Sequence, residues 1–305
     1  MLVERIAQGL LLPPTYVTSL AAGASHHYKT YTIPKRTSGT RIIHHPSKQL
    51  KAVQRWLATN VVSFFPVHAT ALAYQKSKSI ADNARVHAAS QFLLRLDLQE
   101  FFPSLKATDI RKLVRTSIAL VPNTAGWENT DTELFVQLVC KDNRLTIGAP
   151  TSPPLSNALC HSMDLQLSAL ADRLELVYSR YADDLIFSAV LPNHLSGVQA
   201  EVSRVLSGLD FPSNLQLNFR KTLHASRKGR RKITGVVITC DGQLSVGRPL
   251  KRQLRTQIFR WNQLDPPARK RLAGWLAHVR SLEPDFINSL ILKYGAERVV
   301  SAMKG

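Results

Sequence analysis

Acids are scarce in this sequence. It has 21 Asp and Glu against 40 Lys and Arg in 305 residues, a net charge of +19. That deficit excludes a neutral or acidic surface and points away from cationic partners. Cysteine is scarcer still: Cys140, Cys160 and Cys240 lie far apart, without the paired spacing of a zinc site or the density of a disulfide framework. They read as ordinary buried thiols in a reducing compartment. Long apolar runs are missing too, and no window approaches a membrane span. The first residues carry an early acid, Glu4, and only Leu10-Leu11-Leu12 as an uninterrupted apolar run, so no signal peptide is expected and a cytoplasmic location is. Internal repeats, low-complexity tracts and Gly/Ser linkers are absent, which leaves one elaborate domain or two to three subdomains.

What is present is unevenly placed. Residues 220–271 hold fifteen Lys or Arg and two acids, Asp241 and Asp265, so this stretch carries +13 of the +19. A concentrated positive field attracts polyphosphate, and its sequence-independent pull weakens steeply with salt. Nucleic acid is the expected partner. Residues 1–30 read as a short helix followed by a turn-rich stretch. Tyr28, Tyr31 and Ile33, then 34–39, then Ile42-Ile43 read as a basic hairpin turning near Ser38-Gly39. Leu50, Val53, Leu57 and Val61 share a helical face. Phe92, Leu94, Leu96 and Leu98 alternate with Leu93, Arg95 and Asp97 as a strand. Leu155, Leu159, Met163, Leu167 and Leu170 mark one long helix after Pro153-Pro154. From Leu250 the chain is basic and helical, with Trp261 and Trp275 favoured as core. This order predicts an α+β fold with an antiparallel sheet, since the regular alternation of a parallel doubly wound fold is missing.

The chemistry concentrates at Tyr181-Ala182-Asp183-Asp184, where two adjacent carboxylates join two strand-like stretches, 174–180 and 185–190. Paired acids on a rigid hairpin suit hard divalent ions. A solvated Asp turn is the plain alternative. Asp97 supplies a third acid at the end of an apolar strand, where an unpaired carboxylate is costly. Three carboxylates on two neighbouring strands could hold two metals about 4 Å apart for nucleotidyl transfer.

These residues resemble the motifs of reverse transcriptases. Residues 95–102, Arg-Leu-Asp-Leu-Gln-Glu-Phe-Phe, are similar to the first catalytic motif, 181–184 to the signature hairpin, and 148–157, Gly-Ala-Pro-Thr-Ser-Pro-Pro-Leu-Ser-Asn, to the template- and nucleotide-contacting segment. The resemblance implies a right-hand polymerase with fingers, an antiparallel-sheet palm and a small helical thumb. It implies an N-terminal region and fingers at 1–90, a palm at 91–245 with interleaved fingers helices at about 105–147, and a thumb at 246–305. It makes Asp97 and Asp183 metal ligands with Asp184 beside them, holding two Mg²⁺, with Mn²⁺ as an alternative. Phe102 would lie under the sugar and select dNTPs. Lys35 and Arg41 would grip the triphosphate, Gly148 and Pro150 would meet the nucleotide, and Lys221 would serve the pyrophosphate. Phe102 has a plainer reading as a core Phe, and Lys35 and Arg41 as a solvated basic hairpin.

Two further segments resemble retron reverse transcriptases. Asn83-Ala84-Arg85-Val86-His87 is similar to their Asn-Ala-x-x-His motif, and Ile233-Thr234-Gly235 to their Val-Thr-Gly motif. That resemblance implies RNA contacts by Asn83, His87, Ile233, Thr234 and Gly235, while the basic run Arg227, Lys228, Arg230, Arg231 and Lys232 can neutralise phosphates. It implies synthesis of branched RNA–DNA (msDNA) on a cognate structured noncoding RNA, primed from a 2′-hydroxyl, and an effector protein such as an ATPase–nuclease pair in antiphage defence. Ile147 departs from the Gln that many members carry before Gly-Ala-Pro, so a polar contact there is lost. Two other readings stay open: a group II intron-like or abortive-infection reverse transcriptase, which the lack of a maturase or endonuclease extension disfavours for the intron form, and an inactive RNA-binding scaffold, which the intact carboxylates disfavour.

Overall fold

The computed structural model describes residues 1–35 and 39–305. In chain order the elements are α1 (Leu2–Leu10), α2 (Pro14–Ala22), β1 (Tyr28–Pro34), β2 (Thr40–Pro46), α3 (Lys48–Asn60), α4 (Ile80–Val86), β3 (Phe92–Asp97), α5 (Phe101–Ser104), α6 (Ala107–Ser117), α7 (Asn129–Val139), α8 (Ser152–Leu159), α9 (His161–Arg173), β4 (Val177–Tyr181), β5 (Asp184–Ala189), α10 (Val198–Ser207), β6 (Leu223–Ser226), β7 (Arg231–Ile233), β8 (Val236–Ile238), β9 (Leu244–Ser245), α11 (Arg248–Phe259), α12 (Pro266–Leu282), α13 (Pro284–Tyr294) and α14 (Ala296–Lys304). The mixture of helices with sheets agrees with the α+β expectation. The chain forms two compact units: Met1–Ser77, Leu94–Phe187 and Asn193–Leu223 make the first, and Lys78–Leu93, Ser188–Pro192 and His224–Gly305 the second.

In the first unit, β1 and β2 pair antiparallel in continuous register from Tyr28↔Pro46 to Pro34↔Thr40. Arg36, Thr37 and Ser38, and with them part of the expected turn, lie outside the described residues. Helix α3 starts where Ser47 caps the Leu50 amide at 3.3 Å, and it buries Leu50, Val53 and Leu57 as the helical period requires. Strand β4 and most of β5 and β3 lie in this unit, neighbours in the order β4-β5-β3. Strand β3 buries Leu93 as well as Leu94 and Leu96, so it is covered on both faces rather than one. Two strand ends meeting at its C-terminal edge place Asp97.

Three local expectations need correction. The first thirty residues hold two helices, because Pro13-Pro14 starts a second one; proline is tolerated in a helix's first turn. The helix expected through 155–170 is interrupted at Cys160, whose ψ of 4° leaves the helical well. The strand before the acids starts at Val177, after Glu175 adopts a left-handed φ of 54°.

In the second unit, β7, β8 and β9 form an antiparallel sheet with α4 packed against it. Helix α4 is closed by a capping box in which Ser79 and Asp82 satisfy each other's backbone amides. Helices α11–α14 bury Leu254, Ile258, Leu272, Leu276, Val279 and Leu290 around one core. Trp261 packs on that core with Arg269 over its ring at 4.8 Å, whereas Trp275 is 41% exposed and lies outside it. Cys240 is also exposed, unlike buried Cys140 and Cys160: it lies in the connection between β8 and β9. Among the described residues, no helix is long and apolar enough to cross a membrane.

Candidate active site

The acids of the first unit are brought together by the main chain. The Leu98 amide donates to the Asp183 carbonyl at 2.9 Å, which fixes the end of β3 against the tight connection between β4 and β5. On the other side, the Asn218 amide donates to the Asp97 carbonyl at 2.8 Å and the Gln99 amide to the Gln216 carbonyl at 2.8 Å. Asp97 is therefore clamped between the hairpin and the segment leading into Lys221. Its carboxylate, only 7% exposed, accepts from Lys221 Nζ at 2.9 Å on Oδ1 and 3.0 Å on Oδ2.

The hairpin turns through Ala182, at a left-handed φ of 59°. Burial raises the Asp183 carboxyl above its ordinary range, and the charge of Asp97 adds to the rise. Burial first, then Asp183, pushes Asp184 up to about 6, against a weak opposing pull from Arg95. Arg95 Nε stands 3.9 Å from Asp184 Oδ1, too far for a hydrogen bond. Burial thus disfavours the charges of Asp183 and Asp184, while the Lys221 ammonium is held on Asp97.

This donor set fits a hard divalent ion. The groups are carboxylate oxygens, and burial gives two of them, Asp183 and Asp184, a raised affinity for protons. Among the described residues, no group of three or more His, Cys, Asp or Glu is placed to hold a metal ion. Mg²⁺ at nucleotide sites needs none, since it is held by one or two carboxylates together with water and substrate phosphate.

Around the acids, the nucleotide-side candidates separate. Arg41 is exposed on β2 and close enough for its charge to pull on both Asp183 and Tyr74. Lys35 is exposed at the end of the β1–β2 hairpin, where its amide donates to the Gly39 carbonyl at 2.9 Å. Phe102 is half-buried, with its ring 5.4 Å from Phe101 and 6.5 Å from Tyr74. Sequence reasoning missed Tyr74; its hydroxyl is pushed up by burial and then by the Asp183 charge, and nothing local in the sequence marks it. Gly148 has φ 118°, and a Cβ there would stand 2.6 Å from the His44 carbonyl oxygen, so only glycine allows this close approach to β2. The neighbouring Ile147 joins the same contact through its backbone, accepting from the His44 amide at 2.9 Å. Pro150 is half-buried in the turn that enters α8.

The expected RNA-contacting residues of the second unit divide by exposure. Lys228, Arg230, Lys232 and Arg227 are exposed, with the Arg227 side chain donating to the Cys240 carbonyl. Arg231 departs from the expectation: it is 2% exposed and donates to the Ser90 and Thr239 carbonyls, so its charge is committed inside the unit. Asn83 and His87 are also closed to solvent, as is Ile233. His87 Nδ1 and Ser188 Oγ are 2.7 Å apart, and Ser188 Oγ donates onward to Ser90 Oγ at 2.8 Å. Burial drops the His87 imidazole to about 3, which keeps it neutral. Thr234 and Gly235 form the two-residue turn between Ile233 and Val236, at φ 47° and 98°. Both values positive match a type I′ turn, which needs glycine-like freedom at Gly235.

The family model described as "Reverse transcriptase (RNA-dependent DNA polymerase)" matches residues 33–238. The chain is 33% identical over 302 residues to the Retron Ec83 reverse transcriptase of Escherichia coli, covering 95% of this chain and 94% of the relative. It is 34% identical over 282 residues to the Retron Mx162 reverse transcriptase of Myxococcus xanthus, covering 85% of this chain and 58% of that one. Among solved structures, a truncated apo telomerase from Candida tropicalis superposes at a TM-score of 0.49 with 12% identity, covering 76% of this chain and 58% of that chain. The family match over residues 33–238 and the near full-length identity to the Ec83 protein make this chain a member of the retron reverse transcriptases, an RNA-directed DNA polymerase.

Proposed function

We propose that this polymerase copies part of a cognate structured noncoding RNA into single-stranded DNA. Priming from a 2′-hydroxyl of that RNA would leave a branched RNA–DNA product, made in the cytoplasm as part of an antiphage retron with an effector protein. The observation that carries this reading is the 33% identity over 302 residues to a protein named as a retron reverse transcriptase.

In this reading Asp97 and Asp183 hold Mg²⁺, with Asp184 beside them. The bound ions would supply charge stabilisation at the transferring phosphate and activate the attacking hydroxyl. Lys221, whose Nζ lies on Asp97, is the nearby proton donor for the leaving pyrophosphate. Arg41 and Lys35 offer positive charge to the triphosphate, and the Phe102 ring blocks a 2′-hydroxyl on the incoming sugar. Gly148 and Pro150 let backbone approach the nucleotide. Exposed Arg227, Lys228, Arg230 and Lys232 bind RNA phosphates, an attraction that falls with salt. The Thr234-Gly235 turn presents its backbone, while Asn83, His87, Arg231 and Ile233 hold the surface behind it. Fingers within 1–90, a palm within 91–245 including α6 and α7, and a thumb from 246 to 305 complete the assignment.

The test is purification from an intact locus with its flanking DNA, followed by nucleic-acid analysis with RNase and debranching enzyme. A short DNA whose mobility shifts on debranching is expected. Recovery of unbranched DNA alone would overturn the branched-product reading.

A further inference from the structure

Arg180 is the bulkiest of the fully buried side chains, and nothing in the chemistry above gives it a task. Its guanidinium grips Asp164 on α9, with Nε at 2.8 and 3.1 Å from the two carboxylate oxygens and Nη2 at 2.6 Å from Oδ2. Both side chains are fully closed to solvent. Tyr178 donates its hydroxyl to Asp164 Oδ1 at 2.9 Å. The remaining nitrogen, Nη1, donates to Asn157 Oδ1 at 3.1 Å and to the Ala182 carbonyl at 3.2 Å. Asn157 in turn donates from Nδ2 to the Ala73 carbonyl at 2.7 Å. The Arg180 backbone joins the same strip of chain, donating to the Thr70 carbonyl at 2.8 Å and accepting from the Leu72 amide at 2.9 Å.

A buried ion pair is a poor way to stabilise a core, because well-packed apolar residues of similar volume do as well or better. The value of this one lies in where it aims the spare nitrogen. Ala182 is a non-glycine residue in left-handed conformation, directly before Asp183, and its carbonyl would otherwise be a buried acceptor. Asn157 belongs to the 148–157 segment, so one guanidinium links that segment to the acid-bearing turn.

We propose that Arg180, oriented by Asp164 and Asn157, is a positioning residue for polymerisation: it locks the Ala182 carbonyl and thereby aims the Asp183 carboxylate. The proposal rests on the reading of Asp183 as a catalytic acid. The experiment compares the purified wild-type chain with Arg180→Lys and with the paired change Arg180→Met plus Asp164→Leu, on an RNA template with an annealed DNA primer. Lysine keeps the charge but offers a single point rather than a fork, and the paired change keeps the volume without the charges. For both, assayed well below the variant's own melting temperature, kcat should fall roughly ten- to hundredfold with dNTP KM unchanged, since small misplacement of a reacting group costs that much. A folded variant of either kind with wild-type kcat overturns the proposal. So does a loss of kcat that merely tracks a lowered melting temperature. Asp183→Asn runs beside them: if it stays active, the reading of Asp183 fails, whereas an inactive Asp183→Asn with active Arg180 variants removes only the positioning role.

Discussion

Two hairpins with two-residue connections, Ala182-Asp183 in the first unit and Thr234-Gly235 in the second, are supported in opposite ways. The first packs charge against charge. Its acids sit above their ordinary pKa range, and its turn carbonyl is held by a fully buried arginine. The second carries no acid. Its flanking Ile233 and Val236 are buried apolar residues, and the one buried charge of its strands, Arg231, is met by the Ser90 and Thr239 carbonyls. The contrast separates a turn whose buried acids cost stability from one where stability and shape agree.

That contrast can be broken at four points. The largest effect is expected at Asp97→Asn: if Asp97 holds metal as proposed, the change should lower dNTP incorporation by about a thousandfold or more, because losing a metal-site carboxylate costs several kcal/mol of transition-state stabilisation. Steady-state incorporation on a primed RNA measures it, and near-normal activity would remove Asp97 from the machinery.

The next concerns Asp184. Its folded value is about 6 against an ordinary 3.8, so between these values the folded chain holds the extra proton. Stability therefore falls as pH rises through that window, and the full penalty remains at pH 7. Asp184→Asn should raise stability at pH 7 without divalent ions by about 1–3 kcal/mol. Denaturant unfolding at pH 7 checks the sign, and a loss of stability would contradict the strained-acid account.

The second unit should show the reverse limb at His87. His87 is depressed to about 3 from an ordinary 6.5, so between these values the unfolded chain binds a proton that the folded chain refuses. Its contribution is intact above about 6.5 and is lost as pH falls below it. By pH 5 the loss should reach about 2 kcal/mol, and His87→Gln should flatten that acid limb. Melting curves at pH 7 and pH 5 for both chains decide it; an equally steep limb in the variant would refute it. The smallest effect is Gly235→Ala, about 1 kcal/mol of destabilisation from the φ of 98° alone, since a Cβ there meets nothing within 4 Å. An unchanged melting temperature would show that the turn tolerates a side chain.

Much of the candidate site was legible in the sequence because its chemistry depends on residue type at short spacing. Asp97 ends an apolar strand, the paired acids sit between two more, and the 148–157 segment carries its own Gly/Pro signal. The α+β class followed from element order. What stayed hidden depends on long-range burial. Arg231 reads as one more cation in a basic run, yet its neighbours fold it inward onto the Ser90 and Thr239 carbonyls. Arg180 reads as the polar position of a strand, and only the α9 carboxylate of Asp164, sixteen residues earlier, explains its place inside. The break at Cys160 carries no Gly or Pro to announce it. Asn83 and His87 were found as a motif, but a motif does not say which way its side chains face.

The most direct measurement pairs two readouts on Asp183→Asn with Asp184→Asn: dNTP incorporation on a primed RNA, and binding of the cognate structured RNA. The account predicts that incorporation is lost while RNA affinity and its salt dependence match wild type. Persistent incorporation would contradict it.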